Sequence, residues 1–66
     1  MTCIINGSAE ELSSAMTVAE LLAKHNLSQQ PCAVEVNGKV VPRRSHATHV
    51  LSDGDRVELV TLVGGG

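Results

Sequence analysis

The sequence predicts an α+β domain, with one main helix packed on one face of a mixed sheet of four to five strands. Three observations carry that prediction. Two Asn-Gly pairs, Asn6-Gly7 and Asn37-Gly38, each sit between short apolar runs. They read as hairpin turns because both residues tolerate positive φ. Between them, Thr17-Val18-Ala19-Glu20 has the reciprocal pattern of a capping box, which starts a helix. The third is the run Arg56 to Val63, the longest strand candidate, in which residue character alternates with a period of two.

Taken in order, Thr2 to Asn6 reads as a strand, and after the Asn6-Gly7 turn Ala9 to Ser13 returns as a second. At the helix start the Thr17 hydroxyl accepts from the Glu20 amide, and the Glu20 carboxylate reaches back to the Thr17 amide. Val18, Leu21 and Leu22 then share one apolar face, and Glu20 and Lys24 form an i, i+4 pair in the favourable order. Asn26 suits a left-handed C-cap, with Leu27 folding back over the last turn. So short a helix needs a sheet to lie on. Pro31 ends the connection, Cys32 to Val36 is strand-like, and Lys39 to Val41 returns after Asn37-Gly38 until Pro42, which cannot donate to a ladder, stops it. Arg43 to Ser52 is polar and irregular, with room for one helical turn, and Asp53-Gly54 is a turn. The helix and second hairpin supply the long crossover that parallel pairing requires, so the first and last strands should pair in parallel at the sheet centre. This is the β-grasp, or ubiquitin-like, arrangement, expected over residues 1–63, with 64–66 a flexible C-terminal glycine tail.

Composition narrows the function. A chain of 66 residues is one domain, and at this size about 60% of the unfolded surface is buried. A deep cleft would remove much of the core, which argues for a carrier, a binding module or a subunit over a self-sufficient enzyme. Hydrophobic residues make up 42%, none of them aromatic, so the core rests on Val, Leu, Ile, Ala and Met. With five Lys and Arg against seven Asp and Glu, the net charge of −2 tracks no phosphate backbone, and no Phe, Trp or Tyr is available for base stacking. No apolar run is long enough for a membrane span. Met1 leads directly into a strand-like segment without a signal-peptide pattern, so the expected compartment is the cytoplasm. Cys3 and Cys32 read as free thiols inside apolar runs, as small buried hydrophobes or as sulfur-handling groups.

Gly64, Gly65 and Gly66 are the informative feature. Alone they fit a frayed end or an appended remnant. They follow a strong strand with no polar linker, however, which anchors the chain up to its last few residues. A carboxylate is a poor electrophile and must be activated, for instance as an acyl-adenylate made with ATP, inside a site that excludes water. Glycine has no side chain to block a narrow channel and adopts unusual dihedrals at low steric cost. Three residues reach about 10 Å, at about 3.3–3.6 Å each. Within Arg56 to Val63, Val57, Leu59, Thr61 and Val63 share one face, and Glu58, Val60 and Leu62 the other. Val60 and Leu62 beside the tail therefore suggest a docking surface, unless a loop covers them.

The pattern Val36-Asn37-Gly38-Lys39-Val40-Val41-Pro42-Arg43, then Leu51-Ser52-Asp53-Gly54-Asp55-Arg56-Val57, then Thr61-Leu62-Val63-Gly64-Gly65-Gly66, resembles the ThiS family of sulfur carriers in thiamine biosynthesis. The resemblance covers the whole chain and departs in one respect: family members often carry an aromatic near His46, and none is present here. It implies that a ThiF-type adenylyltransferase activates the Gly66 carboxylate with ATP. A sulfur donor, often a cysteine desulfurase persulfide, displaces AMP to leave a thiocarboxylate. Thiazole synthase (ThiG) then accepts the sulfur. Gly65 stays slim for channel passage, Gly64 adds a hinge, and the protein acts as a co-substrate of those enzymes, with no catalytic residue and no bound cofactor.

Other candidates are weaker. His46 and His49, three apart, could share a face of one turn, but zinc needs two further ligands, so no metal is expected. Either histidine fits a partner surface or solvent. Lys39, Arg43 and Arg44 form a small basic cluster, either solvated or docking to an acidic partner face. Asp53 and Asp55 flank Gly54 as turn formers. Competing readings are the small subunit of molybdopterin synthase, a protein modifier joined to lysines, and a plain ubiquitin-like interaction domain whose glycines have no chemistry.

Overall fold

The computed structural model describes residues 1–61. In it, each Asn-Gly pair closes a tight hairpin. Strand β1 (Thr2–Ile5) pairs antiparallel with β2 (Ser8–Glu11), with Ile5 opposite Ser8 and the turn residues Asn6 and Gly7 at φ of 49° and 84°. After helix α1 (Val18–Lys24), strands β3 (Cys32–Val36) and β4 (Lys39–Val40) repeat the device, with Asn37 and Gly38 at 53° and 83°. Positive φ at both central residues twists the turn to match the twist of the flanking strands. Strand β5 (Arg56–Thr61) enters between the hairpins, parallel to β1 and antiparallel to β3, and gives the order β2-β1-β5-β3-β4. The mixed five-stranded sheet with one helix is the β-grasp arrangement expected from the sequence.

The second strand of each hairpin is shorter than the residue pattern suggests. Leu12 still exchanges backbone bonds with Met1 but turns into the core, and Val41 is buried beyond the end of β4. Burial of these two side chains competes with continuation of an exposed edge strand, and wins.

Helix α1 is fixed at both ends by local chemistry. The Glu20 amide donates to Thr17 Oγ1 at 3.1 Å, and the Thr17 amide donates to Glu20 Oε1 at 2.8 Å. At the other end Asn26 takes φ 60°, its amide donates to the Ala23 carbonyl, and the Leu27 amide donates to the Leu22 carbonyl at 2.7 Å. This is the paired bond pattern of a Schellman cap. The first-turn amides of Val18 and Ala19, which have no partner within the helix, donate to the carbonyls of His49 and His46. The irregular segment before β5, which contains a 3₁₀ turn at Arg43–Ser45, is thereby held against the helix.

Val18, Leu21 and Leu22 pack on the inward side chains of the sheet, Cys3, Ile5, Val34, Val36, Val57 and Leu59, with Leu12, Val41 and Leu51 closing the edges. Each fully buried aliphatic side chain of this kind stabilises by about 1.5–3 kcal/mol relative to exposure. Two expectations are corrected. Glu20 is occupied by its cap, so no Glu20–Lys24 pair forms; Lys24 Nζ turns to Glu10 at 2.9 Å and to the Glu11 carbonyl at 3.1 Å. His46 is not a solvated residue. It is 8% exposed, and its Nε2 bonds the Val41 carbonyl at 3.0 Å. The imidazole packs beneath the segment, and the Val41 carbonyl satisfies its polar edge.

Candidate functional site at the end of the central strand

Strand β5 leads to the glycine tail, and its two faces divide the labour. Val57 and Leu59 point into the core, while Glu58 and Val60 point to the open face of the sheet. Val60 is 52% exposed and lies opposite Ala33 of β3 in register. Thr61 pairs with Cys32, so β3 supports β5 up to the last described position. On the other flank β1 ends at Ile5, opposite Val57. Beyond that point the Asn6 side chain takes over: its Oδ1 accepts from the Leu59 amide at 2.8 Å, and its Nδ2 donates to the Leu59 carbonyl at 3.2 Å. Leu62, Gly64, Gly65 and Gly66 lie outside the described residues, as does Val63.

Arg43 is exposed on the 3₁₀ turn and lines a cleft of about 250 Å³ together with Leu22, Leu27, Cys32 and His46. That cleft lies on the helix side of the sheet, at the Cys32–Thr61 end. Val60 faces the opposite way, so these two of the three expected docking residues do not share one surface, and the third, Leu62, lies outside the described residues. Lys39 lines a different groove, with Val40, His49 and Val50. His46 is buried, whereas His49 lines that groove half-buried. Among the described residues no three His, Cys, Asp or Glu side chains come together as a metal would require.

Both cysteines are free thiols. Cys3 is fully buried and donates to the Ser52 carbonyl at 3.3 Å. Burial, and after it the nearby Asp55 carboxylate, push its thiol up. Burial also pushes up half-buried Cys32, against a smaller opposing effect from the Val60 backbone. A raised pKa keeps a thiol protonated, and the thiolate is the nucleophile. Neither cysteine has the environment of a reactive sulfur.

Sequence similarity bears on what the strand delivers. The family model described as the ThiS family matches residues 3–66. The chain belongs to the ThiS family. It is 33% identical to the sulfur carrier protein ThiS of Escherichia coli, over the full length of both. It is 39% identical over 66 residues to a thiazole synthase of Paramagnetospirillum magneticum, covering all of this chain and 20% of that protein. The crystal structure of a thiamine biosynthesis protein (ThiS) from Geobacter metallireducens superposes with a TM-score of 0.84 at 32% identity, covering 100% of both chains. The family assignment covers the glycines, and the Geobacter structure has the same fold.

The Asn6 clamp escaped sequence reasoning, which gives Asn6 a turn role only. A carboxamide one residue past a strand end was the available signal, but which backbone it meets depends on a partner strand 53 residues away.

Proposed function

We propose that this chain is a sulfur carrier in thiamine biosynthesis, with residues 1–63 as the docking body and 64–66 as the tail that enters partner active sites. The observation that carries this reading is a central strand, paired on both flanks, that runs directly towards Gly64-Gly65-Gly66 within a ThiS-family match reaching residue 66. A body anchored to within a few residues of the tail presents its end at a defined place, and slim residues beyond it can thread a channel. In this reading a ThiF-type adenylyltransferase joins the Gly66 carboxylate to AMP and releases pyrophosphate from ATP. A sulfur nucleophile attacks the acyl carbon and AMP leaves. Where the donor is a cysteine desulfurase persulfide, the first product is an acyl disulfide, and a thiol must then cleave its S–S bond to free the thiocarboxylate. Thiazole synthase (ThiG) takes the sulfur, and Gly66 returns to a carboxylate.

The Paramagnetospirillum relative supports the choice of acceptor. A stretch similar to this whole chain occupies 20% of a thiazole synthase, and tethering a carrier to its acceptor raises their effective concentration. Val60 on the open face, with Leu62 beyond it, and Arg43 on the helix side are the candidate contacts for these partners. In this reading the chain itself is a co-substrate acting in the cytoplasm.

The test is fragmentation mass spectrometry of the C-terminal peptide after incubation with ATP, a sulfur source and the adenylyltransferase. Exchange of oxygen for sulfur confined to Gly66 supports the carrier, and sulfur transfer on adding thiazole synthase supports the pathway. An unaltered Gly66, with the enzyme shown active on another carrier, overturns the reading in favour of an interaction module. Fragmentation is needed because oxidation of Met1 or Met16 adds nearly the same mass.

A further inference from the structure

The geometry points to Asn6 as a positioning residue that sets where the chain leaves the sheet on its way to the tail, an inference that rests on the carrier reading above. Parallel pairing of β1 with β5 runs through the Ile4 amide to the Asp55 carbonyl and the Asn6 amide to the Val57 carbonyl, both at 2.9 Å. The next bond of such a ladder would go from the Leu59 amide to the Asn6 carbonyl. The backbone cannot supply it, because Asn6 has already turned to φ 49° to open the hairpin. The side chain supplies it instead, and meets both polar groups of Leu59, accepting at 2.8 Å and donating at 3.2 Å. Only one orientation of the carboxamide satisfies an N–H and a C=O at once. One asparagine therefore forms the turn with its backbone and extends the sheet with its side chain.

Asn37 does the corresponding work at the far end of β5. Its Oδ1 accepts from the Arg56 amide at 3.0 Å, and its Nδ2 donates to Asp55 Oδ1 at 2.9 Å. The central strand is held by a turn asparagine at each end, and only the Asn6 end faces the tail. Without the Asn6 carboxamide, β5 beyond Val57 keeps its β3 partner and loses its other flank. The end of the strand then samples frayed states, and a partner enzyme meets a correctly presented tail only a fraction of the time. A binding-competent state populated at a fraction f weakens apparent binding by 1/f and leaves the rate at saturation unchanged.

The experiment compares Asn6→Gly with Asn37→Gly. Glycine accepts the positive φ of both turns, so each variant keeps its hairpin and loses only side-chain bonds. Asn6→Asp, which can still accept from the Leu59 amide but cannot donate to its carbonyl, serves if the glycine variant does not fold. In Asn6→Gly, amide hydrogen exchange at Leu59 should rise about tenfold, and the KM for the carrier in adenylation should rise about twofold with kcat unchanged, as for a strand end whose frayed fraction goes from about a tenth to about a half. Asn37→Gly should leave both values at those of the parent. A parental KM in Asn6→Gly overturns the proposal, as does an equal rise in Asn37→Gly, which would mark a general loss of stability. If the parent chain is itself not adenylated at Gly66, the carrier reading fails first and takes this role with it; exchange at Leu59 then reports the clamp as a structural bond alone.

Discussion

Polar side chains in this protein repair backbone bonds that the fold interrupts. Asn6 replaces a missing ladder bond, Thr17 and Glu20 satisfy each other's amides, and His46 bonds the Val41 carbonyl where β4 has ended. A buried polar group left without a partner costs about 1–3 kcal/mol, a large fraction of the stability of so small a domain. The thiols behave differently, since burial keeps both protonated. Iodoacetamide should therefore alkylate Cys32 in the folded protein several-fold more slowly than a free cysteine at about pH 7, and Cys3 more slowly still. Rates for Cys32 should climb with pH beyond the range in which an ordinary thiol has levelled off. Peptide-resolved mass spectrometry of quenched time points checks this, and alkylation of Cys32 at the rate of a free thiol at about pH 7 would show that its environment is not the one described here.

At the scale of elements, α1 is tied to β2 through Glu10, which receives both Lys24 and His25, at 2.9 and 3.0 Å. The Lys24 ammonium bonded to it, helped by His25, holds the Glu10 carboxyl below the usual glutamate range in spite of partial desolvation. A carboxyl whose folded pKa is lowered stabilises the fold above its unfolded value and loses that contribution as pH falls through the folded one. The contribution is therefore complete above about pH 5 and drains away below about pH 4. Urea midpoints measured from about pH 6 to about pH 3 should fall more steeply for the parent than for Glu10→Gln, which cannot ionise there. Parallel curves would mean that this tie contributes nothing. Lys24 in the last turn also complements the helix dipole, and the sequence pairs it with Glu20, not with a carboxylate on a neighbouring strand.

For the whole molecule, the fold separates stability from delivery. The helix covers one face of the sheet, and the other carries Val60 half exposed on the strand that approaches the tail. An exposed substitution away from the core changes stability by about 0.5 kcal/mol or less. Val60 lies within β5, where strand propensity can add up to about 1 kcal/mol, so Val60→Asp should keep the fold and lower adenylation at least about tenfold, because a charge would be desolvated on docking. Adenylation at the parental rate would remove the open face from the docking surface. Gly65→Val should likewise keep the circular dichroism spectrum of the parent and stop thiocarboxylate formation, since a branched side chain obstructs a narrow channel. Normal sulfur loading of that variant would exclude threading as the reason for the glycines.

Local chemistry explains what was legible beforehand. The two hairpins, the helix with both caps, the alternation of β5 and the parallel pairing of the outermost strands in sequence follow from residues within a few positions of one another, or from the length of the crossover between them. Such signals survive without knowledge of the rest of the chain, because turn dihedrals and capping bonds are satisfied on the spot. Tertiary structure decided matters in which two distant segments compete for one group. It sent Lys24 to Glu10 when Glu20 was already engaged, buried His46 beneath the connection to β5, parted Arg43 from Val60 by a whole sheet, and set the Asn6 carboxamide on Leu59. Those outcomes depend on which backbone and side-chain groups the completed sheet leaves unpaired, and no window of the sequence contains that information.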